Sequence, residues 1–224
     1  MRKRNVFICF IGVDGSGKTT QAMKLEKKMK EQGIRVKYVW IGWAPTIFNP
    51  VIKLCKRLLI RREKIDETDY EDFTAAKKKF LKKHFLSGIW MCYVLLDYAV
   101  QIFIKVTIPL LLGNSVICDR YIYDLLVNLA TRYGIAPSKI LRLARNKRLL
   151  SIFPKPTFVF FLDVPAKTAY ARKDDIPSMD YLIDHSNLYS KLCDQLRITR
   201  IDGLQKSEFI HQQLSNLIFH YLEK

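Results

Sequence analysis

The stretch VFICFIGVDGSGKTTQAMKLEKKMKEQG, Val6 to Gly33, decides the fold. It opens with a short apolar run, breaks into glycines, and resumes as a charged segment. In that segment Ala22, Leu25 and Met29 recur at helical spacing. A buried strand, a tight turn and a helix are expected in that order. The turn, Gly12-Val13-Asp14-Gly15-Ser16-Gly17-Lys18-Thr19, fits G-x-x-x-x-G-K-[ST] at every position. Glycines let the backbone curl its N–H groups inward around phosphate oxygens, and the following helix adds its N-terminal partial positive charge. Gly12, Gly15, Ser16, Gly17, Lys18, Thr19 and Thr20 are therefore the expected nucleotide-phosphate site. Lys18 should reach the β- and γ-phosphates, and the Thr19 hydroxyl should ligate Mg²⁺.

Further apolar strand candidates are Val36–Ile41, Ser115–Cys118, Thr157–Leu162 and Arg197–Ile201, with helical patterns between them. Strands alternating with helices predict an α/β fold, a parallel sheet covered on both faces. The final helix carries Ile210, Leu214, Leu217, Ile218 and Tyr221 as one apolar stripe. At 224 residues, with hydrophobic residues at 49%, the chain is long enough for one domain, 1–224, with a substantial core.

Lysine and arginine number 38 against 21 acidic residues, a formal charge of +17, which favours anionic partners. Nucleotides fit this. So does a merely basic surface, and no zinc-finger, RNP or homeodomain pattern points to nucleic acid. Cys9, Cys55, Cys92, Cys118 and Cys193 are scattered, with no C-x-x-C pair. Cys9 and Cys118 fall inside strands and read as reduced core residues, which suits a cytoplasmic protein. The leading MRKR precedes only a strand-length apolar run, so no signal peptide is expected.

Residues 46–112 read as a helical region with two tracts. The first is basic: Lys53, Lys56, Arg57, Arg61, Arg62 and Lys64, then Lys77 to Lys79, Lys82 and Lys83. It reads as a solvated helix face, with phosphate capture as the alternative. The second, Ile89–Leu112, is apolar, and its only charges are Asp97 and Lys105. It is long enough to span a membrane. Asp97 in mid-run, Pro109 near the end and the strand that follows favour instead a core helix that partly meets a partner subunit.

A second chemical signal is NSVICDRYIYD, Asn114–Asp124. An apolar strand delivers Asp119, Arg120 and Tyr121 at its carboxyl end, the edge where open parallel sheets bind ligands. If this strand lies beside the first, Asp119 faces the glycine turn and can hold Mg²⁺, and Arg120 can bind a second phosphate. The D-x-x-G and N-K-x-D pair of a GTPase switch is absent. Further on, FFLDVPAKTAYARKDDIPSMDYL, Phe160–Leu182, ends in a mixed-charge segment, 172–182, that reads as a short lid. Its Arg172 and Lys173 are the cations available to a migrating phosphoryl group.

The motifs GVDGSGKTTQ (Gly12–Gln21), CDRY (Cys118–Tyr121), FLDVPAKTAYARK (Phe161–Lys173) and IDG (Ile201–Gly203) together resemble the thymidylate kinase family of P-loop nucleoside monophosphate kinases. That resemblance implies a three-layer fold with a five-stranded parallel sheet, ATP and Mg²⁺ as cosubstrates, a homodimer packed through helices, and 46–112 as the acceptor-binding and dimer region. It also implies roles. Asp14 is the loop carboxylate near the acceptor, Lys18 and Thr19 handle ATP phosphates and metal, Asp119 supports Mg²⁺, and Arg120 grips the acceptor phosphate. Gly15 follows Asp14 where the loop has no arginine, so the catalytic cations are expected in the lid, at Arg172 and Lys173. Asp97 and Tyr98 stand where the family's middle helix carries Asp-Arg, and with Tyr121 they complete the implied acceptor set. The sequence also departs from the family. WIGWAPT (Trp40–Thr46) replaces an Arg-Glu-Pro-Gly-Gly segment, and IYDLLVNLATRYG (Ile122–Gly134) lacks the serine and the Tyr-Gln pair that read thymine. With its DRYxYDLLV motif and tyrosine-rich middle helix, the chain also resembles a divergent thymidylate-kinase-like branch.

The expectation is ATP-dependent phosphorylation of a nucleoside monophosphate, by default dTMP. The alternatives are a kinase of the same fold acting on another phosphorylated small molecule, and a non-catalytic nucleotide-binding module. Nucleic-acid binding is not expected, and neither is membrane association.

Overall fold

A computed structural model describes residues 5–42, 84–173 and 176–223. Strand β1 (Phe7–Ile11) leads through the glycine turn into helix α1 (Lys18–Glu31), then β2 (Val36–Trp40). Helix α2 (His84–Ile102) runs through a π-helical turn (Phe103–Thr107) into α3 (Ile108–Leu111) and β3 (Ser115–Asp119). Helices α4 (Ile122–Tyr133), α5 (Pro137–Arg145) and α6 (Lys147–Leu150) precede β4 (Phe158–Asp163). The chain ends with α7 (Ala166–Ala171), α8 (Met179–Leu196), β5 (Thr199–Asp202) and α9 (Ser207–Glu223). All five expected strands are present, with ends within two residues of the sequence reading.

The sheet order is β2-β3-β1-β4-β5, and every neighbouring pair is parallel. Alternation along β1 divides the core. Phe7, Cys9 and Ile11 face one layer, with Val94, Tyr98, Leu125 and Leu188. Val6, Ile8 and Phe10 face the other, with Ala22, Leu25, Met29, Ile210 and Leu214. Right-handed crossovers require this division: β1 to β2 runs one way across the sheet and β3 to β4 the other, so α1 and α4 cover opposite faces. The ligand crevice of such a sheet lies where those directions part, between the carboxyl ends of β1 and β3. Each large apolar side chain buried here contributes about 1.5–3 kcal/mol.

Three expectations are refined. Of the α9 stripe, Ile210, Leu214 and Ile218 are buried, whereas Leu217 is exposed on the flank of the helix. Cys9, Cys118 and Cys193 are buried free thiols, and Cys92 is exposed. The apolar tract forms one continuous helical run from His84 to Leu111, and Cys92–Leu111 is long and apolar enough to cross a membrane by length and composition. Tyr98, Ile102 and Val106 are buried in the core layer shared with β1 and β3, as in a core helix, and Asp97 is buried beside Gln101. The basic tract, Trp43–Thr46 of the departing segment, and residues 174–175 of the lid lie outside the described residues.

Candidate active site

The glycine turn sits at the carboxyl end of β1 with little room to spare. Gly15 has φ +81°, and a Cβ there would lie 2.3 Å from the backbone oxygen of Ala169 in α7. Only glycine lets the loop pass so close to that helix. Gly17, also left-handed, forms the N-cap of α1. The first helical residue is Lys18, which places the positive end of the helix at the turn.

Lys18 folds back over the loop. Its Nζ donates to the Val13 carbonyl at 2.6 Å and to Ser16 Oγ at 3.3 Å, and the side chain is buried. Burial, reinforced by the Arg120 charge, lowers its pKa to about 8, and Asp124, Asp119 and Asp14 oppose the shift. An ammonium held this way gains strongly from an incoming polyanion.

The next constellation forms because β3 lies beside β1, with Asp119 in register with Phe10. Thr19 Oγ1 donates to Asp119 Oδ2 at 2.5 Å, and Tyr38 Oη donates to the same oxygen at 3.1 Å. Asp119 Oδ1 is buried without a hydrogen-bond partner among the described residues. A threonine hydroxyl and a carboxylate oxygen in want of a partner form an all-oxygen donor set, and this fits Mg²⁺.

Arg120 follows in the left-handed region, φ +73°, an uncommon conformation for a bulky residue. Its backbone is pinned on both sides: the N–H donates to Phe10 O at 3.0 Å, and Cys118 Sγ lies 2.8 Å from its carbonyl. The guanidinium donates to Asp14 Oδ1 through Nη2 and pairs with Asp124 Oδ1 through Nη1 at 3.8 Å. Burial works against its charge, but Asp124 and Asp14 outweigh that and raise its pKa. For Asp14, burial pushes the carboxyl up, while Arg120, Lys18 and Lys173 prevail and hold it below the usual range.

Asp14 to Gln21, Trp40, Arg120, Arg172, Lys173 and the β5–α9 connection (Gly203, Gln205, Ser207) line one cavity of about 640 Å³. Arg172, at the end of α7, donates to Gly203 O at 3.2 Å. The loop, Asp14, Lys18, Thr19, Arg120, Arg172 and Lys173 thus share a single hollow, with Asp119 bonded to its wall through Thr19. The remaining candidates lie deeper. Tyr121 is buried, its hydroxyl donating to Pro154 O at 2.6 Å and its ring edge-on to Phe7. Asp97 is buried and accepts from Gln101 Nε2 at 2.6 Å, and Tyr98 packs edge-on against Phe153. None of these three lines the cavity.

The sequence assigns no role to four residues near the reacting region, although Trp40 and Asp124 fall within the quoted WIGWAPT and NSVICDRYIYD stretches. Tyr38 sits on Asp119, and Trp40 extends the cavity wall. Asp124 lies under Arg120, and Tyr189 Oη donates to Asp124 Oδ1 at 2.6 Å. Tyr189 lies 65 residues from Asp124, too far along the chain for spacing to link them.

The thymidylate kinase family model matches residues 10–214. The chain is 28% identical to a probable thymidylate kinase of Pyrococcus abyssi over 98% of both chains. It is 26% identical to a probable thymidylate kinase of Methanocaldococcus jannaschii over 94% of both. To the thymidylate kinase of Plasmodium falciparum it is 26% identical over 77% of this chain and 68% of that one. The match runs from β1 into α9 and takes in the loop, the Asp119–Arg120 corner and the cations after α7. This chain belongs to the thymidylate kinase family of phosphotransferases.

Proposed function

We propose that this protein transfers the γ-phosphoryl group of ATP to a nucleoside monophosphate, with dTMP as the acceptor. The observation that carries the reading is the shared cavity: a phosphate loop and a second, separately anchored guanidinium face one space of about 640 Å³. The relatives named thymidylate kinase supply the choice of dTMP.

The chain's own groups divide the work. The loop residues Gly12 to Thr20 hold the triphosphate, and Lys18 leaves its resting bond to Val13 O for the β- and γ-phosphate oxygens. Thr19 and Asp119 would hold Mg²⁺, which would supply neutralisation of the phosphate charge. Arg120 turns from Asp14 towards the acceptor phosphate and orients it for in-line attack. An acceptor oxygen bonds to the γ-phosphorus as the β–γ bridging bond breaks, and ADP leaves. No general base is needed, because the acceptor is already anionic. Asp14, kept ionised, accepts hydrogen bonds and positions Arg120 rather than moving a proton. Arg172 and Lys173 offset the charge that develops on the migrating group, and closure of 172–182 excludes water.

The exposed apolar face of the α2–α3 run, with Leu96, Phe103, Ile104, Leu111 and Leu112, supports a homodimer packed through that helix. The buried free thiols fit a reducing, cytoplasmic setting.

A coupled assay for ADP release tests the function, using ATP–Mg²⁺ with dTMP, dUMP, CMP, UMP and phosphorylated sugars in parallel. Release with dTMP well above the others is expected. Release with a different acceptor replaces dTMP while keeping the kinase. Tyr98, in the place of an arginine and packed in the core, favours that second outcome over a non-catalytic module. Nucleotide binding without transfer to any acceptor overturns the reading.

A further inference from the structure

Among the described residues, Asp124 is the one buried carboxylate near the cavity that no step above uses. It is 2% exposed and sits at the third residue of α4. Its Oδ2 accepts from the Tyr121 N–H at 2.8 Å, closing the first turn of the helix. Its Oδ1 accepts from Tyr189 Oη at 2.6 Å and lies 3.8 Å from Arg120 Nη1. Two elements distant in sequence, α4 and α8, thus meet at one carboxylate that pairs with the Arg120 guanidinium, while Asp14, which lines the cavity, pairs with the same guanidinium.

We propose that Asp124, fixed by Tyr189, is the positioning residue for Arg120 and sets the affinity for the acceptor phosphate; this rests on Arg120 being the acceptor arginine. The two carboxylates then differ in task. Asp14 lines the cavity and must give way when a phosphate arrives, because Arg120 Nη2 cannot serve both at full strength. Asp124 lies outside the cavity lining, so it keeps its ion pair with Nη1 in the free and the bound state alike. Helix capping alone does not call for this arrangement. The Tyr121 amide is served by Oδ2, whereas Oδ1 is spent on Tyr189 and Arg120. A buried carboxylate is costly, and an uncharged cap would be cheaper to bury. The left-handed backbone at Arg120 points the same way, since strain of this kind persists where the surroundings over-determine a functional side chain.

The test uses the full chain with ATP–Mg²⁺ and whichever monophosphate the unsubstituted protein turns over best. Asp124→Asn keeps the shape and loses the charge. The expected result is a KM for the acceptor raised roughly tenfold to a hundredfold, from losing one largely buried ion pair, with a smaller rise in the KM for ATP, because Asp124 also supports the Lys18 charge. Tyr189→Phe removes one donor and leaves the carboxylate, so the acceptor KM rises by a smaller factor in the same direction. It also serves as the readout should Asp124→Asn fold poorly. Thermal midpoints are measured beside both. An unchanged acceptor KM with only a lowered midpoint, or an equal rise in both KM values, overturns the positioning role and leaves the kinase reading intact. Absence of turnover by the unsubstituted protein with every monophosphate overturns both.

Discussion

A methyl group added at Gly15 measures how tightly the phosphate loop is built. The Cβ would meet the Ala169 carbonyl at 2.3 Å while the backbone sits at φ +81°. Both penalties fall on backbone atoms that cannot turn aside. Gly15→Ala is expected to cost about 2 kcal/mol or more of stability and to remove nucleotide binding. Thermal denaturation and calorimetry with ATP check the two effects separately. Lys18→Ala tests the chemistry at the same scale. The loop amides remain, so ATP still binds, but turnover should fall by roughly a thousandfold or more through the lost charge on the transferring phosphates. Near-normal ADP release from this variant contradicts the assigned site. Lys18 and Gly15 are both legible in the sequence, because a contiguous motif fixes their geometry. Asp124 is not, because its meaning comes from Tyr189 and Arg120, which meet it only in the folded core.

Among the elements, the α2–α3 run is the one whose apolar character the sequence left ambiguous between membrane, core and interface. It proves to be two-sided. Tyr98, Ile102 and Val106 join the core beneath the sheet, and Leu96, Phe103, Ile104 and Leu111 are exposed. The π-helical turn at Phe103–Thr107 ends two residues before Pro109, whose missing N–H and bulky ring would disturb an ordinary α-turn at that point. The dimer reading makes a prediction at this scale. The protein should run as a dimer in light scattering, and Phe103→Glu with Leu111→Glu should give a folded monomer. Both positions are solvent-facing within one chain, so a single folded subunit tolerates the charges. A dimer mass that survives the double substitution rejects this helix as the interface, and binding to anionic vesicles by the unsubstituted protein favours a membrane surface instead.

At the scale of the whole molecule, a bound nucleotide would add a further tie between elements that already touch, through Gly15–Ala169, Arg172–Gly203 and Gln21–Ser207: the β1 loop, α1, the end of α7 and the β5–α9 connection. Binding to the folded state alone stabilises it by about 2.7 kcal/mol at a hundredfold excess over Kd. For a chain of this size that is a rise in Tm of roughly 5–10 °C. Differential scanning fluorimetry with ATP–Mg²⁺ reads it, and Gly15→Ala should abolish the shift. The same scale separates what each level of description decides. The sequence by itself determined the strand–loop–helix opening, the alternation of strands and helices, and the family, because local periodicity and a contiguous phosphate motif are properties of neighbouring residues. Only the tertiary structure decided that Asp119 bonds to Thr19, that Arg120 is held between Asp14 and Asp124, and that Tyr98 and Tyr121 turn inward. Those outcomes depend on which strands become neighbours and which face of a helix meets the sheet, and packing settles both across separations of about a hundred residues.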